Sequence, residues 1–105
     1  MEKVLTPSVG TELKLNITAE LGNGLHLADV NFTAIFYSSP RRSEMFTKED
    51  MVKVDDDNYI AVIDTAKLGD GEYMMKLTAE IPDADCDDGF RTEVVKVSTH
   101  IFVKG

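Results

Sequence analysis

The sequence predicts an all-β protein, an antiparallel β-sandwich of about seven strands. Three observations support this fold class. Apolar and polar residues alternate along most of the chain, which is the pattern of strands with one buried face. Turn-forming residues interrupt the alternation about every eight to twelve residues. The chain has 105 residues, of which 43% are apolar, and this is enough for one core without disulfides.

The first two predicted strands carry the clearest alternation. Residues 12–20 place one apolar set on a single face: Leu13, Leu15, Ile17 and Ala19. Glycines then break the pattern, because glycine tolerates the positive φ of tight turns. Residues 30–38 resume the alternation with a second set: Val30, Phe32, Ala34 and Phe36. Pro40 ends this strand because proline has no backbone N–H for a neighbouring strand.

The middle of the chain predicts a hairpin. Residues 50–54 form a short strand that turns Val52 and Val54 inward. The polar stretch 55–58 supplies a tight turn. Residues 59–64 are the returning strand, so we expect the two strands to pair.

The last third of the chain predicts a helical turn and two strands. Residues 65–70 form the turn, which a glycine closes, and residues 71–80 are the next strand. Residues 92–103 are the last strand, with four residues inward: Val95, Val97, Ile101 and Val103. We expect residues 1–10 to be an N-terminal arm or edge strand and residues 11–105 to be a single sandwich domain.

The segment Leu68-Gly69-Asp70-Gly71-Glu72-Tyr73 resembles the entry to the penultimate strand of immunoglobulin-like domains. In those domains a tyrosine closes the corner by bonding its hydroxyl back to the chain, so Tyr73 is the predicted structural corner. Met75 stands where a true immunoglobulin has its second cysteine. The sequence therefore predicts an immunoglobulin-like sandwich without the intersheet disulfide.

Charge and cysteine content limit the possible partners and compartments. Eleven Lys and Arg against nineteen Asp and Glu give a net charge of −8, so no nucleic acid and no anionic membrane surface is expected as a partner. The single cysteine, Cys86, allows no intrachain disulfide. The first residues lack the apolar core of a signal peptide. These features predict cytoplasmic synthesis, with a place in a virus particle left open.

No constellation in the sequence predicts catalysis. His26 and His100 have no neighbours at ligand spacing. A dyad of His100 with Cys86 is the nearest alternative, but the aspartates around Cys86 disfavour a reactive thiolate. We therefore expect no enzyme and no cofactor.

One acidic loop could bind calcium. Carboxylates at alternating positions of a turn can converge on a hard cation, and four aspartates occupy such a stretch: Asp83, Asp85, Asp87 and Asp88. The loop departs from the usual calcium loop, because Val94 stands where the bidentate glutamate belongs and Glu93 is one position early. A solvated acidic turn is the simpler interpretation, and a calcium-dependent or ligand-binding domain is the alternative.

Strand alternation also predicts the charge of the two ends. Loops 21–29, 55–58 and 81–91 should share an acidic end, which includes Asp55, Asp56 and Asp57. Loops 39–48 and 65–70 should share a mildly basic end with both termini. That end should hold Arg41, Arg42, Lys48, Lys67 and Lys104, with Glu44 and Asp70 against them. Opposite charges suit protein partners, including head-to-tail contact between copies.

The stretch from Leu13 to Val103 is similar to small sandwich domains in structural proteins of tailed bacteriophages and prophages of gut bacteria. Four motifs carry the resemblance: Leu27 to Phe32, Tyr59 to Thr65, Leu68 to Gly71, and Ile81 to Glu93 without residues 86 and 87. The resemblance implies an attachment or spacer module in a tail, baseplate or fibre. It supplies no active-site residues.

Overall fold

The computed structural model describes residues 7–18, 24–39 and 42–105. Seven strands and one α-helical turn lie in this part of the chain: β1 (Glu12–Thr18), β2 (Asn31–Ser39), β3 (Arg42–Thr47), β4 (Val52–Asp55), β5 (Asn58–Asp64), α1 (Thr65–Leu68), β6 (Gly71–Pro82) and β7 (Phe90–Val103). Two 3-10 helical turns, Leu27–Asp29 and Lys48–Asp50, precede β2 and β4. No helix in these residues is long and apolar enough to cross a bilayer.

The strands form two antiparallel sheets, one with the order β1-β5-β4 and the other with the order β3-β2-β6-β7. This matches the immunoglobulin-like order, in which strands B, E and D face strands C′, C, F and G. In addition, Ser8 forms a parallel bridge with Lys104, directly after β7. The predicted fold class is confirmed.

The core fills the space between the sheets. Phe36 of β2 packs edge-on against Phe46 of β3 with ring centroids 5.8 Å apart. Phe32 of β2 meets Tyr59 of β5, in the opposite sheet, at 5.1 Å. The largest fully buried side chains are Tyr73, Phe36, Leu27, Ile63, Leu68, Ile81 and Thr65. Aromatic residues from both sheets therefore hold the layers together.

The corner before β6 has the geometry that the sequence predicted. The buried Tyr73 hydroxyl donates to the carbonyl of Gly69 at 2.6 Å. Gly69 ends α1 with a φ of 77°, a conformation that favours glycine. Thr65 is buried beside it, and its hydroxyl donates to the Thr11 carbonyl at 2.6 Å while accepting from the Gly10 N–H at 2.8 Å. The corner thus ties α1 to the start of β1.

Two predicted details are wrong. Residues 42–47 form β3 rather than part of a loop, and Phe46 is its one buried residue. Val52 and Val54 are exposed, at 59% and 56%. Val52 pairs with Ile60, which lies between the buried Tyr59 and Ala61 and so points away from the core. β4 has only four residues, so its sequence alternation is too short to show which face is buried.

The last strand departs from its predicted pattern in the middle. Val103 is buried, but Val95 is 47% exposed even though it pairs with the buried Leu77. Val95 thus stands on the inner face of its sheet at a place where the opposite sheet leaves about half of it exposed. The pairing shifts between Glu72 and Met74, and His100 in the bulged strand has a φ of 59°. The side chain of Val97 and the whole of Ala19 lie outside the described residues.

Candidate interaction surface at the acidic end

Three segments lie at one end of the sandwich: the segment before β2, the β4–β5 turn and the β6–β7 loop. The Ala28 N–H donates to the Asp56 carbonyl at 2.9 Å, which joins the segment before β2 to the β4–β5 turn. The pairing of Asn31 with Glu80 places the start of β2 beside the end of β6, and hence beside the β6–β7 loop. We call this the acidic end, with eight aspartates: Asp29, Asp55, Asp56, Asp57, Asp83, Asp85, Asp87 and Asp88.

The three aspartates of the β4–β5 turn each have a local partner. Asp55 accepts from the side-chain amide of Asn58 at 2.8 Å and from the Asp57 N–H at 2.9 Å, and these bonds lower the pKa of Asp55. Asp56 pairs with Lys53 at 3.1 Å. Hydrogen bonds to the ionised carboxylate stabilise its charged form. The turn is therefore a fixed acidic projection at neutral pH.

His26 and Asp57 join the two loops. Nδ1 of His26 lies 2.7 Å from Oδ1 of Asp57, and both side chains are about half exposed. The hydrogen bond and charge of Asp57 raise the pKa of His26, with smaller contributions from Asp29 and Asp56. Protonation of His26 therefore strengthens the contact between the loops.

Asp57→Asn should lower the pKa of His26, because it removes the main cause of the shift. Folding raises this pKa, so the stabilisation is fully present below the unfolded value of about 6.5 and is lost as pH rises through the folded value. NMR titration of the imidazole and unfolding curves across neutral pH measure both effects. Identical His26 titrations in the wild type and the variant would contradict the assignment.

The β6–β7 loop is organised by its own backbone. The Asp83 N–H donates to the Gly89 carbonyl at 2.8 Å, and the Gly89 N–H donates to the Cys86 carbonyl at 2.9 Å. Asp83 accepts from the Asp85 N–H at 3.0 Å and pairs with Arg91 at 3.3 Å. The carboxylate of Asp88 accepts from the Phe90 N–H at 3.1 Å.

The predicted calcium ligands are therefore not brought together. Asp83 and Asp88 cap backbone N–H groups, as aspartates do in turns. In residues 7–18, 24–39 and 42–105, no three His, Cys, Asp or Glu side chains converge as a metal site. Asp85 and Asp87 are exposed. The geometry favours the simpler interpretation, an acidic turn in solvent.

The opposite end is mixed in charge rather than basic. Arg42, Lys67 and Lys104 lie there, but so do four acidic residues: Glu12, Glu44, Asp64 and Asp70. Lys67 pairs with Glu44 at 3.7 Å, and the guanidinium of Arg42 lies against Gly69. The expected basic end is wrong for the described residues. Arg41 lies outside them.

Lys48 belongs to the acidic end, contrary to the prediction. Its ammonium donates to the carbonyls of Ala28 and Val30, at 2.6 and 3.1 Å. The prediction failed because residues 42–47 form β3 rather than a loop. β3 runs antiparallel to β2 and takes the chain from the opposite end back to the acidic end just before Lys48. No feature of the sequence indicated this contact.

Comparison of the chain with known protein families, with curated proteins and with solved structures finds no match.

The dyad of Cys86 with His100 is not formed. Cys86 lies in the β6–β7 loop, whereas His100 lies ten residues along β7 from Phe90, the strand's first residue. Ten residues of extended strand span roughly 30 Å. The two side chains are therefore too far apart to exchange a proton.

A shallow cleft of about 230 Å³ lies beside the acidic end. Three threonines of adjacent strands line it, since Thr33 pairs with both Thr47 and Thr78. Glu49 and Glu80 stand beside the threonine row. Lys48 also lines the cleft, so the surface carries hydroxyl and carboxylate oxygens next to one ammonium group.

Proposed function

We propose that the chain is a non-catalytic protein-interaction module that docks through its acidic end on a positively charged protein surface. The observation that carries this proposal is the concentration of eight aspartates on loops at one end of the sandwich. Lys48, Lys53 and Arg91 offset them only partly, and each already contacts groups of its own chain. Complementary charge speeds association and selects the partner.

The proposed setting is a tail, baseplate or fibre of a phage or prophage particle, where the domain attaches or spaces other components. Segments such as 59–65 and 81–85 resemble small sandwich domains of phage and prophage structural proteins, and this resemblance supports the setting. Head-to-tail stacking of copies receives little support from charge, because the end opposite the aspartates is mixed. We therefore favour a different protein as the partner of the acidic end.

The test is co-purification with the proteins encoded beside this chain, at low and high salt. Asp85→Asn with Asp87→Asn should weaken the complex about tenfold or more, because both carboxylates are exposed and free of the bonds that shape the loop. Glu12→Gln with Asp70→Asn removes the same charge at the other end and is the matched control.

Equal weakening by both pairs of substitutions would contradict docking through the acidic end. A complex that is insensitive to salt would do the same, because interactions between exposed charges are screened by salt. Neighbouring genes that encode no particle components would contradict the phage setting.

A further inference from the structure

Among residues 7–18, 24–39 and 42–105, no strand pairs with the outer edge of β7. β7 is the longest of the described strands and lies at the edge of its sheet. Its inner edge pairs with β6. Among the described residues, only the segment around Ser8 pairs on the open side, with Lys104 just after the strand ends. The Phe90 N–H is bonded to Asp88. After it, the half of β7 before the bulge presents backbone groups on its outer edge that no described residue pairs, and such groups can template another strand.

This half of β7 exposes apolar side chains on both faces, next to the charged side chains of Arg91, Glu93 and Lys96. Phe90, Val94 and Val95 are 45%, 49% and 47% exposed. Phe90 and Val94 lie on the outer face of the sheet, whereas Val95 lies on the inner face beyond the cover of the other sheet. An edge strand that is unpaired among the described residues and exposes apolar side chains on both faces is unusual for a protein that stays monomeric.

We propose that two copies of this chain pair through their β7 edges, antiparallel and related by a two-fold axis at Thr92. A two-fold contact uses the same patch on both copies. In this register Thr92 faces Thr92 of the second copy and Phe90 faces Val94. The pairing would join the two four-stranded sheets into one continuous sheet.

Charge complementarity selects the second copy and the register. Centred on Thr92, the pairing sets Arg91 of each copy opposite Glu93 of the other. A register centred on Arg91 or Glu93 instead opposes like charges, which destabilises cross-strand pairs. Arg91 and Glu93 already bond within one strand, so the side chains can exchange partners across the axis without leaving a charge unpaired.

Cysteine cross-linking tests the proposal in the purified chain, with Cys86→Ser as the background and salt at a physiological level. Directly opposed residues of antiparallel strands have Cα atoms about 4.5–5.5 Å apart, within disulfide range. Thr92→Cys should therefore cross-link as a dimer. Val94→Cys is the control, because its two copies would lie more than about 13 Å apart.

Charge reversal is the second arm, read by sedimentation. Glu93→Arg should raise the dimer dissociation constant about tenfold, because the new arginine at position 93 of each copy would face Arg91 of the other copy. Adding Arg91→Glu should restore pairing. A chain that stays monomeric in sedimentation at every concentration, or equal cross-linking of the Thr92 and Val94 variants, would overturn the inference. The proposed docking of the acidic end is independent of either result.

Discussion

Phe36→Ala should lower the free energy of unfolding by about 3–5 kcal/mol, the usual cost of removing a buried phenylalanine. Phe36 is 1% exposed and packs edge-on against Phe46. Its removal would leave a cavity between the sheets, and the surrounding strands cannot close it because their backbone pairing is fixed. Urea or thermal unfolding of the purified chain measures the loss.

Met45→Ala is the matched control for this prediction. Met45 lies next to Phe46 in β3 but is largely exposed, so its truncation should cost less than about 0.5 kcal/mol. Similar losses for the Phe36 and Met45 variants would show that β2 and β3 do not enclose the core described above.

Tyr73→Phe should lower the free energy of unfolding by about 1–3 kcal/mol, because it leaves a buried acceptor without its donor. The Tyr73 hydroxyl bonds the Gly69 carbonyl at 2.6 Å in a fully buried site. Phenylalanine keeps the ring and its packing, so the loss reports the hydroxyl alone. Hydrogen exchange of residues 65–71 should also become faster, since the bond holds this corner closed.

Tyr37→Phe supplies the control, because Tyr37 lies on the outer, partly exposed face of β2. It should leave the unfolding free energy within about 0.5 kcal/mol of the wild type. If the Tyr73 and Tyr37 variants were equally stable, the corner bond would have no role in holding α1 against β6.

The corner was predictable from sequence because its parts are local. Gly69 supplies the positive φ, and Tyr73 follows four residues later, so one short segment contains both donor and acceptor. The acidic end was predictable for a related reason, since consecutive antiparallel strands return their loops to alternate ends. The same argument failed for Lys48, because β3 has only Phe46 as a buried residue and shows no alternation to reveal it.

In the candidate metal loop, the number and spacing of the aspartates did not predict where their carboxylates point. The sequence places four aspartates within six residues, and the structure turns two of them, Asp83 and Asp88, toward backbone N–H groups. Which oxygen faces which donor depends on the loop backbone and on Arg91, which reaches Asp83 from β7. The spacing of the aspartates along the sequence predicts neither the loop backbone nor the contact with Arg91.

The sequence by itself determined the strand alternation, the sandwich class and the corner at Tyr73, because the pleat of an extended backbone alternates side chains locally. Only the tertiary structure decided that Val95 is half exposed, that Val52 points to solvent and that Glu12 and Asp64 neutralise the expected basic end. The reason is physical. Burial and net charge depend on which distant strands lie opposite or alongside a residue, and that arrangement forms only when the sheets assemble.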